Sequence, residues 1–243
     1  MKIAGATALV TGANRGLGHA LVEALRGARC RKVYAGARRV ADVARNNGIE
    51  PIELDITNAD QVATAAARCS DVTILINNAG VAGFSPALGA PTIDTSRREM
   101  ETNYFGTLAM CRAFAPVLRR NGGGALVNVL SVVSWFNAPM QGSYCASKAA
   151  AWSLTKAARF ELRTQGTLVV GVYAGYIDTD MAAGISAPKT SAQDIAARIV
   201  EGIAVDAEEI LADERARSVH AELFRDAGPF DARMQKVWDD AVR

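Results

Sequence analysis

Histidine and paired cysteine are what this chain most lacks. It has two histidines, His19 and His220, and four cysteines, Cys30, Cys69, Cys111 and Cys145, with no Cys-x-x-Cys spacing. Two histidines are too few for a histidine-based metal centre or triad. Scattered thiols give neither a zinc pattern nor a disulfide framework and fit reduced side chains in a reducing compartment. Cys145 adjoins Tyr144, but successive helical residues do not share a face, so no nucleophilic role is expected of it.

Charge of one sign is also missing. Lysine and arginine total 27 against 25 acidic residues, a net charge of +2, and no basic block or aromatic-interleaved basic patch occurs. That argues against nucleic acid as the main partner. No apolar run approaches the roughly 20 residues that cross a bilayer, so no membrane partner is expected. The short apolar start runs straight into Thr11-Gly12, and cleavage there would remove what reads as the first core strand. A cytoplasmic location is therefore expected.

What the chain does have is apolar bulk. Half of its 243 residues are hydrophobic, enough for the core of one α/β domain spanning 1–243. Short β-branched runs at 6–10, 32–37, 51–54, 72–76, 124–130, 167–173 and 209–212 alternate with helical patterns near 18–29, 59–67, 96–120, 143–165 and 192–205. This alternation predicts a Rossmann-like, doubly wound parallel sheet of about seven strands with helices on both faces. Residues 213–243 are more charged, carry Gly228-Pro229, and read as a terminal helix plus a tail.

Two local patterns carry chemistry. Thr11-Gly12-Ala13-Asn14-Arg15-Gly16-Leu17-Gly18 follows an apolar strand and opens a helix. Its glycines let the backbone approach a pyrophosphate, and a helix N-terminus favours anions. An acid about 20 residues beyond such a turn would select NAD by binding the ribose 2′-hydroxyl. Gly36-Ala37-Arg38-Arg39 stands there instead and contains no acid. Arg38, with Arg15 closing from the turn, offers a charge-assisted grip on a 2′-phosphate and points to NADP; a solvated helix start is the alternative use of Arg38 and Arg39. The second pattern is Tyr144-Cys145-Ala146-Ser147-Lys148, which puts a phenol and an ammonium one helical turn apart. A neighbouring ammonium is expected to lower the phenol pKa and suit it to general acid–base work.

Taken together, these motifs resemble the short-chain dehydrogenase/reductase family over roughly residues 5–212. Further matches are Leu54-Asp55, Asn77-Asn78-Ala79-Gly80, Asn103 in Glu101-Thr102-Asn103-Tyr104, and Ser131 after the fifth strand. The two arginines look like the family's NADP-preferring, carbonyl-reductase-like branch. The resemblance implies a cofactor cleft made of Gly12, Asn14, Arg15, Gly16, Leu17, Gly18, Arg38, Asp55, Ile56, Asn78, Ala79, Gly80, Gly175, Ile177 and Thr179. It implies that Tyr144 is the proton donor and that Lys148 binds the nicotinamide ribose while tuning the tyrosine. Ser131 would hold the substrate carbonyl, and Asn103 a water linking Lys148 to solvent. A helix-satisfying role for Asn103, a turn role for Asp55, and Ser134 in place of Ser131 stay open at this point. Ala174 departs from the pattern by standing where the family usually has proline.

The expected pocket wall is Trp135, Phe136, Met140, Tyr176, Met181 and Ile185, with Val81 and Phe84 opposite. It holds no arginine or lysine, so a small uncharged ketone, aldehyde or secondary alcohol is the expected substrate. The family's habit implies a homo-oligomer, dimer or tetramer, packed through the helices near 96–120 and 143–165. A non-catalytic nucleotide sensor on the same fold is the rival reading, and it would be expected to lack the tyrosine or the lysine.

Overall fold

Every residue of β1 (Thr7–Thr11) is buried. A parallel strand with no polar face needs helices on both of its sides. The computed structural model, which describes residues 1–43 and 46–241, supplies them. Along the chain, β1 is followed by α1 (Gly16–Gly27), β2 (Lys32–Ala37), β3 (Ile49–Glu53), α2 (Ala59–Arg68) and β4 (Ile74–Asn77). Then come α3 (Asp94–Met100), α4 (Thr107–Arg120), β5 (Gly124–Val129), α5 (Gly142–Glu161) and β6 (Thr167–Tyr173). A short parallel pair, β7 (Ile177–Asp178) and β8 (Thr190–Ser191), precedes α6 (Ala192–Ala204), β9 (Glu209–Leu211), α7 (Glu214–Leu223) and α8 (Gly228–Ala241). The main sheet has seven parallel strands in the order β3-β2-β1-β4-β5-β6-β9. Strand order reverses between β1 and β4, and a ligand crevice opens at such a switch point beyond the carboxyl ends of the strands.

Side chains along each strand alternate between two cores, as the pleat requires. Ala8, Val10, Ile74, Ile76, Val127 and Val172 pack against Leu21 and Leu25 of α1 and Ile195 and Ile199 of α6. Leu9, Leu75, Leu126 and Val169 face the other way, toward Met110, Phe114 and Leu118 of α4. Each such leucine or phenylalanine, fully buried, contributes on the order of 1.5–3 kcal/mol.

Two expectations need correction. The helix expected over 96–120 is not uniform: a π-helical segment, Glu101–Gly106, lies between α3 and α4. Hydropathy repeats barely register such a bulge, since it shifts the helical phase by a single residue. Gly106 lies against Ile56, where a Cβ would come within 2.7 Å of its side chain. The tail is likewise structured as α7 and α8 as far as Ala241, the last two residues lying outside the described ones. Ala216, Val219 and Phe230 from these helices close a third apolar cluster with Leu130, Trp135, Phe136 and Tyr173. No helix among the described residues is long and apolar enough to cross a membrane.

Candidate active site

The crevice at the switch point is a cleft of about 1050 Å³ bounded by the carboxyl ends of the central strands. Its near wall is the glycine turn. Gly12 and Gly16 have φ of +65° and +52°, which side-chain-bearing residues rarely adopt. A Cβ at Gly18 would overlap the Gly12 carbonyl oxygen, so α1 approaches the turn as closely as it does only with glycine there. Asn78 cross-braces this wall. Its side-chain amide donates to the Thr11 carbonyl at 2.9 Å, while the Asn78 and Ala79 amides both donate to Thr11 Oγ1 at 3.0 Å. Asn14 and Leu17 line the same wall, and Gly80 continues it toward Lys148.

At the far end of β2, three arginines have different commitments. Arg39 pairs with Asp42 at 2.9 Å, and Arg15 reaches across the cleft mouth to Asp180, also at 2.9 Å. Arg38 lines the cleft and has no ion-pair partner among the described residues. Asp55 and Ile56 face it across this end. Burial pushes the Asp55 carboxyl up, but hydrogen bonds from the Thr57 hydroxyl and amide and the charge of Arg38 outweigh it, leaving the carboxyl below its usual range. The Thr57 bonds, 2.7 and 2.9 Å, also give Asp55 the turn role that its sequence left open.

The other end collects the remaining polar side chains. Ser131 caps a single 3-10 turn, Val132–Ser134, and its hydroxyl donates to the Ala174 carbonyl at 3.4 Å. Ser131 lines the cleft; Ser134 is buried behind it and accepts from the Ser131 amide at 3.3 Å, so only Ser131 is placed to meet a ligand. Tyr144 and Lys148 project from α5 on one face, the ammonium 5.9 Å from the phenol ring centre. Lys148 Nζ donates to the Val129 carbonyl at 2.9 Å, and burial lowers its pKa to about 8.

The phenol itself departs from expectation. Burial holds Tyr144 above the ordinary tyrosine value, with Cys145 and Glu99 adding to the rise, and only the Ser131 hydroxyl works the other way. In this arrangement Tyr144 is a protonated donor, its pKa set chiefly by burial rather than by the nearby ammonium.

Asn103 sits within the π segment with both of its amide hydrogens donated. It exchanges two 2.9 Å hydrogen bonds with the Val81 backbone and donates to Ser147 Oγ at 2.9 Å; Ser147 in turn donates to the Tyr144 carbonyl at 2.8 Å. This chain ties the π segment, the loop after β4 and α5 together, and leaves no amide hydrogen of Asn103 to donate to a water. Behind it, Asn77 donates to Asn128 at 2.8 Å and Asn128 to Thr155 at 2.9 Å, joining β4 and β5 to α5.

The expected pocket wall holds in part. Val81, Phe84, Tyr176, Met181 and Ile185 line the cleft. Trp135 and Phe136 do not: Trp135 stacks on Tyr173 with ring centres 4.2 Å apart, and Phe136 meets Phe230 at 4.6 Å, both turned into the C-terminal helices. Met140 is exposed outside the cleft. The expected absence of cations also fails, since Arg98 and Arg215 belong to the lining. Gly175, Ile177 and Thr179 close the cleft from the β6 side, with the Thr179 methyl against Gly16. All four thiols are pushed up by burial, Cys69 and Cys111 to about 12, which keeps them unreactive.

The short chain dehydrogenase family model matches residues 6–190. The chain belongs to this family. A 3-oxoacyl-acyl-carrier-protein reductase of Vibrio cholerae is 32% identical over 190 residues, covering 74% of this chain and 77% of the relative. A sorbitol dehydrogenase of Cereibacter sphaeroides is 32% identical over 203 residues, covering 77% and 76%. Among solved structures, a short chain dehydrogenase from Burkholderia cenocepacia in complex with NADP superposes with a TM-score of 0.93 at 42% identity, covering 96% of this chain and 99% of that one. Relatives that act on acyl thioesters and on polyols share the framework, so the family assignment leaves the substrate to be argued from this short chain dehydrogenase's own pocket.

Three residues of the site escaped the sequence reading. Asp213 accepts from the Gly175 amide at 2.8 Å and from the Ala216 amide at 2.7 Å, pinning the start of α7 to the loop after β6. Glu99, wholly buried, accepts from the Gly83 amide at 2.6 Å. Arg215 lies over Gly175. Only Asp213 left a local trace, as a helix N-cap before a charged stretch; the other two depend on contacts far apart in sequence.

Proposed function

We propose that this chain is an NADP(H)-dependent oxidoreductase that reduces a ketone or aldehyde, or oxidises the corresponding secondary alcohol, with Tyr144 as the general acid–base. The observation that carries the reading is the meeting of Tyr144, Ser131 and Lys148 at one end of a glycine-walled cleft whose other end presents Arg38, without an ion pair among the described residues, in place of the acid that would select NAD. NADP fits the residues present. The glycine wall leaves backbone where Cβ atoms would intrude, so Gly12, Asn14, Arg15, Gly16, Leu17 and Gly18 would hold the pyrophosphate. Arg38 would take the 2′-phosphate, Asp55 and Ile56 the adenine, and Asn78, Ala79 and Gly80 the middle of the molecule. Tyr144 and Lys148 would hold the nicotinamide ribose, with Gly175, Ile177 and Thr179 at the carboxamide. The NADP complex of the Burkholderia relative supports this choice.

When bound, the reduced nicotinamide is the source of the electron pair. The chain's residues handle the oxygen and the proton. Ser131 and Tyr144 donate to the substrate carbonyl, whose oxygen turns anionic as the bond order falls, and donors aimed at that charge lower the barrier. Tyr144 passes its proton to the alkoxide, and the ammonium of Lys148 stabilises the phenolate left behind. Asn103 positions Tyr144 through Ser147 rather than touching the reacting atoms. A sensor without turnover is disfavoured, because both Tyr144 and Lys148 line the cleft. A homo-oligomer packed through α4 and α5 is part of the reading, supported by Phe105 and Phe160, 50% and 77% exposed on the π segment and on α5.

The deciding experiment is NADPH oxidation, followed by the loss of its absorbance, against a panel of ketones and aldehydes, charged and uncharged. Turnover of at least some members is expected, and none with any carbonyl compound would sink the proposal. A structural prediction accompanies it. Gly18→Ala is expected to weaken NADPH binding by roughly tenfold or more, because its methyl group forces α1 off the glycine turn. Gly27→Ala, in the same helix with nothing within 4 Å, is expected to bind normally and to gain about 0.5–1 kcal/mol in thermal unfolding.

A further inference from the structure

Arg215 and Arg98 are the two cations at the substrate end of the cleft with neither an ion pair nor a hydrogen bond among the described residues. Glu214, the acid that precedes Arg215 in sequence, is engaged by Arg217 instead. Arg15 is taken by Asp180 and Arg39 by Asp42; Lys148 is held by the Val129 carbonyl. Arg98 lies on the other side, against Gly83, where a Cβ would come within 3.3 Å of its Nη2. Arg38 belongs to the opposite, adenosine end.

Arg215 is exposed at the cleft rim, but its stem is built into the wall. A Cβ at Gly175 would lie 2.5 Å from Arg215 Cδ and 3.1 Å from its Cβ and Cγ, so the arginine stem occupies room that only glycine leaves. Asp213, 4% exposed, fixes the same glycine amide at 2.8 Å two positions earlier. The guanidinium lies over the Tyr176 ring, 5.2 Å from its centre. Tyr176 accepts from Gln141 Nε2 at 3.3 Å, which leaves its own hydroxyl proton to donate. Gln141 directly precedes the helix that carries Tyr144, and Ala174, directly before Gly175, receives the Ser131 hydroxyl. The wall that presents Arg215 is therefore continuous with the residues that handle the carbonyl.

We propose that Arg215 selects substrates carrying a carboxylate, so that the chain acts on an oxo acid and its hydroxy acid rather than on the uncharged carbonyl compound its sequence first implied. A planar guanidinium offers parallel N–H donors matched to two carboxylate oxygens, and Tyr176 adds a third donor. In the reaction the carbonyl carbon gains a hydride and its oxygen a proton, NADPH is oxidised to NADP+, and the carboxylate is unchanged. Its task is to bind and orient the carbonyl toward Ser131 and Tyr144.

This inference rests on the oxidoreductase reading, and the test separates the two. The probes are short oxo acids with the ketone next to, one carbon from or two carbons from the carboxylate, each paired with its methyl ester. The expected result is a kcat/KM preference for at least one acid over its ester of roughly 10- to 100-fold, the range of a hydrogen bond to a charged group. Arg215→Gln should erase that preference mainly through KM, leave the esters as they were, and leave NADPH affinity by fluorescence titration unchanged. Arg215→Lys should restore part of it. Esters reduced as well as or better than every acid would overturn the inference while leaving the oxidoreductase standing. An equal loss on acid and ester in Arg215→Gln would make the residue structural, and weakened NADPH binding would assign it to the cofactor; either result overturns it. No turnover in either series would remove the oxidoreductase reading first.

Discussion

Replacing Tyr144 with phenylalanine is expected to lower kcat by about 10²–10⁴-fold while NADPH binds nearly as before. The substitution removes one oxygen and leaves the ring, so packing on α5 changes little. What is lost is the positioned donor that protonates the alkoxide, for which an unpositioned water in the cleft is a poor substitute. Burial already holds the phenol protonated through neutrality, which suits a donor in the reductive direction. The partner that sets the pH response is then Lys148. Its pKa, lowered to about 8, means that the ammonium is present below that pH and lost above it. Reduction is therefore expected to be level at lower pH and to fall as the pH passes about 8, because the phenolate left by proton donation loses its counter-charge. Stopped-flow and steady-state rates across pH check both statements. Retained turnover in Tyr144→Phe would remove the tyrosine from the chemistry, and collapse of NADPH binding would make it structural.

The sheet was legible because its strands announce themselves twice, once by β-branched runs and once by the turn residues between them. The run at 167–173 coincides with β6 in full, and the glycine turn opens α1 as its spacing requires. The π segment was not legible. Nothing in Glu101-Thr102-Asn103-Tyr104 marks the extra residue, and the reason for it lies in the bonds from Asn103 to Val81 and Ser147, across 22 and 44 positions. The pocket wall failed for a related reason. Trp135 and Phe136 are placed by α7 and α8, which the charged composition of 213–243 concealed, and those same helices bring in Arg215. The direction of the Tyr144 shift was missed because spacing reports the neighbouring ammonium and says nothing of burial or of Glu99. Local sequence thus carried the glycine-walled end of the cleft, where one turn and one strand end supply most of the lining. The substrate half is assembled from segments distant in the chain, and its chemistry became readable only once they were together.

At the adenosine end, Arg38→Asp is expected to weaken NADPH binding by roughly 100-fold or more and to improve NADH relative to it. The change exchanges a charge-assisted donor, worth about 1.5–3 kcal/mol on a phosphate, for a carboxylate that repels the 2′-phosphate and accepts from a 2′-hydroxyl. Three arginines lie near this end, but they are not equivalent. Arg39 is engaged by Asp42 and Arg15 by Asp180, so each must give up an ion pair before meeting phosphate. Both of those pairs are mostly exposed and individually weak, which makes their cost modest rather than prohibitive. Arg38 has no such competitor among the described residues, and its charge already acts on Asp55 across the cleft. The order of effects on NADPH affinity should therefore be Arg38→Gln largest, Arg15→Gln next and Arg39→Gln least, by fluorescence titration at constant salt. An unchanged preference in Arg38→Asp, or a larger loss from Arg39→Gln, would show that the 2′-phosphate is held elsewhere.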